Sequence, residues 1–162
     1  MKRLASAGTL AEVSEQDIVI LALWWDTVPK VMEQVGDWSN RILIDATNQL
    51  TFTSGSTRPI PVKLDGMTGS EYVSSLAKNA RVVKAFNSLF GQFMDGEVDG
   101  GNRVLFYAGD DNNAKKTLHP LFTAMGFYPV DLGGLKEGGK LMQVGGALNG
   151  KHFIKRTEDM CL

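Results

Sequence analysis

The strongest constraint in the chain is Ile18-Val-Ile-Leu-Ala-Leu23, six apolar residues in a row between Asp17 and Trp24. The run is far too short to span a membrane, and no residue within it is suited to face water. It reads as a strand buried on both faces, of the kind found in parallel sheets covered by helices. Trp24 and Trp25 follow, then Asp26 or Thr27 as a helix N-cap, with Pro29 in the first turn. Val28, Val31, Met32 and Val35 recur at helical spacing. Strand, short loop and helix make half of a β-α-β unit, and ligands of such sheets sit beyond the carboxyl ends of the strands. That places Leu23, Trp24 and Trp25 at a binding rim.

The same alternation repeats along the chain. Arg41-Ile-Leu-Ile-Asp45 is a second strand, leaving through Ala46-Thr-Asn-Gln49; Arg81-Val-Val-Lys-Ala85 is a third, leaving through Phe86-Asn87-Ser88. Arg103 to Ala108 is a fourth, and Phe127 to Leu132 a last one at an edge, because Pro129 cannot donate to a ladder. Thr9 and Glu12 form a capping box for a short helix over Leu10 to Glu15. Further helices are predicted from Ser70 to Lys78, from Asp111 or Asn112 to Met125, and weakly from Lys140 to Phe153. Residues 51 to 69, rich in Thr, Ser, Gly and Pro, form a long loop of the sort used as a lid or binding segment. The expectation is one α/β domain over residues 1 to 162, its sheet mainly parallel with helices on both faces.

Composition bounds the function. A chain of 162 residues that is 43% hydrophobic can bury one substantial core. A net charge of -1 provides no basic field for nucleic acid. A single cysteine, Cys161, forms no internal disulfide and suits a reducing compartment. Met1-Lys-Arg3 is not followed by the apolar segment a secretion signal needs. A cytoplasmic location, with no membrane and no nucleic acid as partner, is the reading.

Three strand ends, Leu23-Trp24, Thr47-Asn48 and Phe86-Asn87, put flat rings and amides along one edge of the sheet. Such an edge suits a flat heterocycle: rings pack against it and amides bond to it. Singly, each of these residues is better explained as core or turn; three coinciding strand ends point to a site. Gly134-Leu-Lys-Glu-Gly-Gly-Lys140 approaches a phosphate loop, but Leu141 replaces the hydroxyl that would hold Mg²⁺, so a turn is the better reading. His119 and His152 have no carboxylate or cysteine at ligand spacing, and no metal site or nucleophile elbow is present. No catalytic residue is named.

Asp17 to Val28, Ile42 to Asn48, Val82 to Asn87, Phe106 to Asp110 and Met125 to Asp131 together resemble successive blocks of the coenzyme F420-dependent NADP oxidoreductases, a family that includes the dinucleotide domains of ferric reductases. Five blocks in the right order make the resemblance specific. It implies a Rossmann-like NAD(P)-binding domain passing hydride between NADPH and a small-molecule redox acceptor, a deazaflavin such as coenzyme F420 or a flavin. The cofactor-binding residues it implies, taken with the strand ends, are Ala22, Leu23, Trp24, Trp25, Thr47, Asn48, Ala85, Phe86 and Asn87.

The sequence departs from that family in lacking its opening strand, G-x-G-x-x-G turn and helix, and the strand end that selects the 2′-phosphate. Met1 to Ala7 are too few for a β-α-β unit of roughly 30 residues or more. The expectation is therefore a fold missing its first β-α-β, with NADP binding weakened or lost. The strand at Ile18 to Leu23 would then stand at an open edge and pair with another strand, as a homo-oligomer or otherwise. The alternative from a different class is a truncated, non-catalytic domain serving as an assembly or interaction module.

Overall fold

The computed structural model describes residues 5–157; Cys161 and the Met1-Lys-Arg3 segment lie outside the described residues. The elements run α1 (Leu10–Ser14), β1 (Ile18–Leu21), α2 (Val28–Val35), β2 (Ile42–Asp45), β3 (Leu50–Thr51), β4 (Ile60–Pro61), α3 (Gly69–Leu76), β5 (Arg81–Ala85), β6 (Glu97–Val98), β7 (Gly101–Gly109), α4 (Asn112–Ala124), β8 (Tyr128–Asp131), α5 (Glu137–Met142) and β9 (Ile154–Arg156). The main sheet follows the order β1-β2-β5-β7, with β6, β8 and β9 also paired to β7.

Side-chain alternation in the central strands explains the layers. Ile42 and Ile44 of β2 face one side and join Val83, Leu105, Leu118 and Phe122 beneath α4. Leu43, between them, faces the other side and joins Val28, Met32, Val73 and Val82 beneath α2 and α3. A strand buried on both faces must be apolar at every position, and Ile-Leu-Ile satisfies that. The fold is thus α/β and Rossmann-like, with helices on both faces.

The β1–β2, β2–β5 and β7–β8 pairs are parallel. β7 runs antiparallel to β5, Val83 lying opposite Gly109 and Ala85 opposite Tyr107, so the mainly parallel sheet carries an antiparallel section. A parallel step needs a helical crossover, whereas an antiparallel neighbour needs only a turn. Residues 86 to 100 contain a single 3₁₀ turn and the short β6 instead of a helix.

Several sequence expectations require correction. The first strand ends at Leu21, where its ladder with β2 ends opposite Asp45, and does not continue to Leu23. It is also not buried on both faces: Val19 and Leu21 are covered by α2, but Ile20 is 52% exposed. Among the described residues β1 pairs only with β2, and on the α4 side it packs Ile18, only partly buried, against the core. The long loop contains a small antiparallel hairpin, Leu50 opposite Pro61 and Thr51 opposite Ile60. The C-terminal helix is not Lys140 to Phe153 but the shorter α5, and the chain returns as β9 beside the start of β7. The Gly134–Lys140 segment is a turn running into α5, and Gly138 is there for packing: a Cβ would lie 2.7 Å from that of Ala108. Other readings hold: Thr9 and Glu12 form the capping box of α1, and Asp111 caps α4 by accepting from the Ala114 N–H at 2.6 Å.

The asymmetry of β1 is testable by urea unfolding. Leu21→Ala is expected to cost about 2–4 kcal/mol, as for a buried leucine, whereas Ile20→Ala should cost about 1 kcal/mol or less.

Candidate functional site

At the carboxyl end of β2 lies Asp45, fully buried, and beside it on β5 is Lys84, also buried. Lys84 Nζ stands 3.2 Å from Asp45 Oδ2. The same ammonium donates to the Thr47 carbonyl at 3.1 Å. Asp45 Oδ1 accepts from the Thr47 N–H at 2.9 Å and from its hydroxyl at 2.6 Å. The Ser70 hydroxyl, in the first turn of α3, donates to Asp45 Oδ2. Burial by itself would raise the Asp45 carboxyl, but the Lys84 ammonium and the Ser70 and Thr47 donors outweigh it, and its pKa falls below the usual carboxylate value. One ion pair therefore ties β2, β5, α3 and the turn at 46–48 together. Sequence reading passed over it. The signal was present: an acid closing β2 and a base one residue before the end of β5.

Above that pair the chain opens a cavity of about 500 Å³, walled by Ala22, Leu23, Trp24, Trp25, Thr47 and Asn48. Trp25 is buried and packs on Tyr72 at 5.4 Å, which fixes the wall. Trp24 is 67% exposed and meets the edge of Phe52 at 5.6 Å. Its carbonyl accepts from the Thr27 hydroxyl at 2.7 Å, and Asp26 holds Thr51 of the hairpin at 2.9 Å. The long loop thus closes one side of the rim.

The third strand end is placed differently. Phe86 takes a left-handed backbone, φ 67°, a conformation that costs a non-glycine residue about 1–3 kcal/mol. Its ring packs edge-on against Phe122 at 5.4 Å and Phe127 at 6.1 Å. Ala85 and Phe86 are core residues and do not line the large cavity. Asn87 turns the other way: its Nδ2 donates to Asn48 Oδ1 at 3.1 Å and to the Met142 carbonyl at 2.9 Å. Six of the nine expected residues therefore share one cavity, Asn87 reaches it through Asn48, and two belong to the core.

Gln49 and Gln143 continue the line of amides, Gln49 Nε2 donating to Gln143 Oε1 at 3.0 Å. His119 accompanies the Tyr107 hydroxyl at 3.0 Å, and His152 stacks on Phe93 at 4.5 Å, both away from this rim. Among the described residues no group of three His, Cys, Asp or Glu is arranged to hold a metal ion, and no helix is long and apolar enough to cross a membrane.

No protein-family profile matches the chain. Among solved structures, the hypothetical protein SMa0349 from Sinorhizobium meliloti is 36% identical and superposes with a TM-score of 0.81, over 90% of this chain and 70% of that one. A protein from Arthrobacter sp. FB24, taken to be an F420-dependent NADP reductase, is 25% identical with a TM-score of 0.69, over 79% of this chain and 60% of its own. Among curated proteins, metalloreductase STEAP3 of Rattus norvegicus is 28% identical over 123 residues, 76% of this chain. The chain spans about a quarter of the length of that relative, 24%.

Removing one member of the ion pair should be severe. Asp45→Ala leaves Lys84 buried and unpaired, and should cost about 3–5 kcal/mol in chemical denaturation. The double change Asp45→Leu with Lys84→Met should cost less than that single change. Because the folded state depresses the Asp45 pKa, its contribution is full above the unfolded carboxyl value, about pH 4, and is lost as pH falls through the lower folded value. Urea midpoints of the wild type measured from pH 6 downward should fall along that limb, and the double variant should show a flatter one.

Proposed function

The chain belongs to the family of F420-dependent NADP oxidoreductase-like dinucleotide-fold proteins, and from that premise we propose that it carries the nicotinamide end of an NADP-dependent oxidoreductase site. The observation that carries this reading is the cavity of about 500 Å³ at the carboxyl ends of β1 and β2, where an open α/β sheet takes its ligand.

The residues present fit one part of the cofactor. Leu23, Trp24 and Trp25 offer apolar walls to a pyridine ring, and Asn48 offers a side-chain amide at its edge. The Asp45–Lys84 pair holds that turn from below through both the Thr47 N–H and its carbonyl, so the edge is rigid before anything binds. The sequence contains no G-x-G-x-x-G turn, and the reading gives no seat to the pyrophosphate or the 2′-phosphate. Binding by this chain is accordingly expected to be weak. NADPH, when bound, supplies a hydride, and the protein's part is to orient its ring toward the acceptor and exclude water from between them. The acceptor in this proposal is a deazaflavin or flavin ring. Trp24, largely exposed beside Phe52, is the ring best placed to meet such an acceptor.

The side of β1 that is unpaired among the described residues supports pairing with a further strand. A monomer at all concentrations in sedimentation, with fast amide exchange over residues 18 to 21, would rule that pairing out.

Titration of NADPH against tryptophan fluorescence tests the main reading. The expected result is saturable quenching that weakens about tenfold in Trp24→Ala, the worth of one aromatic contact, with circular dichroism unchanged. Absence of any binding at millimolar NADPH would leave the non-catalytic assembly module as the better account of this chain. Oxidation of NADPH followed at 340 nm with riboflavin or a 5-deazaflavin then reports the acceptor.

A further inference from the structure

Tyr107 of β7 lies opposite Asp131 of β8, and beside them run four residues of α4, Asn112, Lys115, Lys116 and His119. Their i, i+3, i+4 and i+7 spacing gathers them on one helical face. Together the six residues line a cavity of about 290 Å³ that shares no residue with the cavity of the proposed oxidoreductase site. We propose that this cavity seats a phosphate group, either free phosphate or that of a small hydroxylated phosphate monoester.

Two lysines against one aspartate give the lining a positive balance, in a chain whose net charge is -1. Lys115 is buried and closes on Asp131, its Nζ 3.2 Å from Oδ1 and 3.0 Å from Oδ2. Asp131 Oδ1 also accepts from the Gly133 N–H at 2.9 Å. That carboxylate is held and its charge offset. The second ammonium, on Lys116, is exposed and has no ion pair among the described residues. Asp110 and Asp111, just before the helix, are turned to other work, Asp110 accepting from the Leu135 N–H at 2.9 Å and Asp111 from the Ala114 N–H at 2.6 Å.

The lining is also rich in donors. Tyr107 OH and His119 Nδ1 lie 3.0 Å apart. Burial and the Asp131 charge raise the Tyr107 pKa above its usual value, so the phenol keeps its proton. With a neutral imidazole the two groups hold two protons, one of which lies between them. The other is left for an outside acceptor, on Nε2 if the phenol donates and on the phenol if Nδ1 donates. Lys116 adds its ammonium, Lys115 one N–H beyond the two on Asp131, and Asn112 its amide. Several donors facing one space suit a group with several anionic oxygens, and lysines bind phosphate as point charges. A carboxylate, with two oxygens, would leave part of this set unused. The cavity is larger than one phosphate ion, so a short hydroxylated chain also fits, with Asp131 as the acceptor for its hydroxyl.

The test uses the full chain labelled with ¹⁵N at about pH 7.5, where a phosphate monoester is mainly dianionic. Glycerol 3-phosphate, inorganic phosphate and malonate, a dianion of two flat carboxylates, are titrated in turn. Either phosphate at millimolar concentration, the range for ligands of this size, should give saturable shifts in the amides of residues 112 to 119 and of Asp131. Malonate should bind about tenfold more weakly or worse. Tighter binding of glycerol 3-phosphate assigns the seat to a phosphate monoester, and equal or tighter binding of inorganic phosphate assigns it to the free ion. Lys116→Gln, a change at an exposed side chain, should weaken the effective probe about tenfold. Tyr107→Phe, which keeps the ring in the core, should weaken it as well. Lys30→Gln on α2, across the sheet, should leave binding as it is.

The proposal is overturned if no probe moves these amides, or if malonate binds as well as phosphate. It is equally overturned if Lys116→Gln leaves binding unchanged, or if Lys30→Gln weakens it as much, the mark of general charge attraction. Failure of NADPH to bind the larger cavity would leave this assignment standing, because the two share no residue.

Discussion

The structure depends on a charged pair placed where charge is least tolerated. Asp45 and Lys84 sit on adjacent parallel strands with essentially no exposure. Desolvating two ions is so unfavourable that such a pair needs further hydrogen bonds around it. Here those partners are Ser70, the Thr47 hydroxyl, and the Thr47 N–H and carbonyl. A hydrophobic pair would have filled the same volume but would not have dictated where the turn after β2 goes. The ion pair does dictate it, and the position of Thr47 and Asn48 follows.

From that fixed turn the two sides of the rim take their different characters. On one side the chain leaving β1 brings Trp24 and Trp25 over Thr47, and the wall is flat and apolar. On the other, the strained backbone at Phe86 sends its ring into the core and turns Asn87 toward Asn48. Asn48 is the partition between them.

Much of the fold was legible. Capping boxes, runs of alternating or continuous apolar residues and helical spacing are local, so α1, α2, β2, β5 and α4 could be read within a residue or two from stretches such as Ile42-Leu-Ile-Asp45. The reading failed where local pattern is ambiguous. Ile18 to Leu23 looks buried on both faces because its composition is uniform, yet burial depends on which helices reach it, and among the described residues none covers Ile20. The short α5 escaped because its two glycines, poor helix formers, are there for close packing on Ala108 and near Thr68. Of the site, the residues adjacent in sequence to a strand end were found as a group. Asp45, Ser70 and Lys84 were not, since each alone looks like an ordinary polar residue.

What the sequence by itself determined is the set of elements, their order, and the apolar faces they must bury, because periodicity acts over a few residues. Tertiary structure alone decided which polar groups meet. The partners are far apart along the chain, Asp45 and Lys84 by 39 residues, Asn48 and Asn87 by 39, Gln49 and Gln143 by 94. Their meeting depends on strand order, on register, and on β7 turning back antiparallel beside β5. Those are properties of the assembled sheet, in which desolvation makes each buried polar group find a partner or remain, like Asn87 Oδ1 among the described residues, without one.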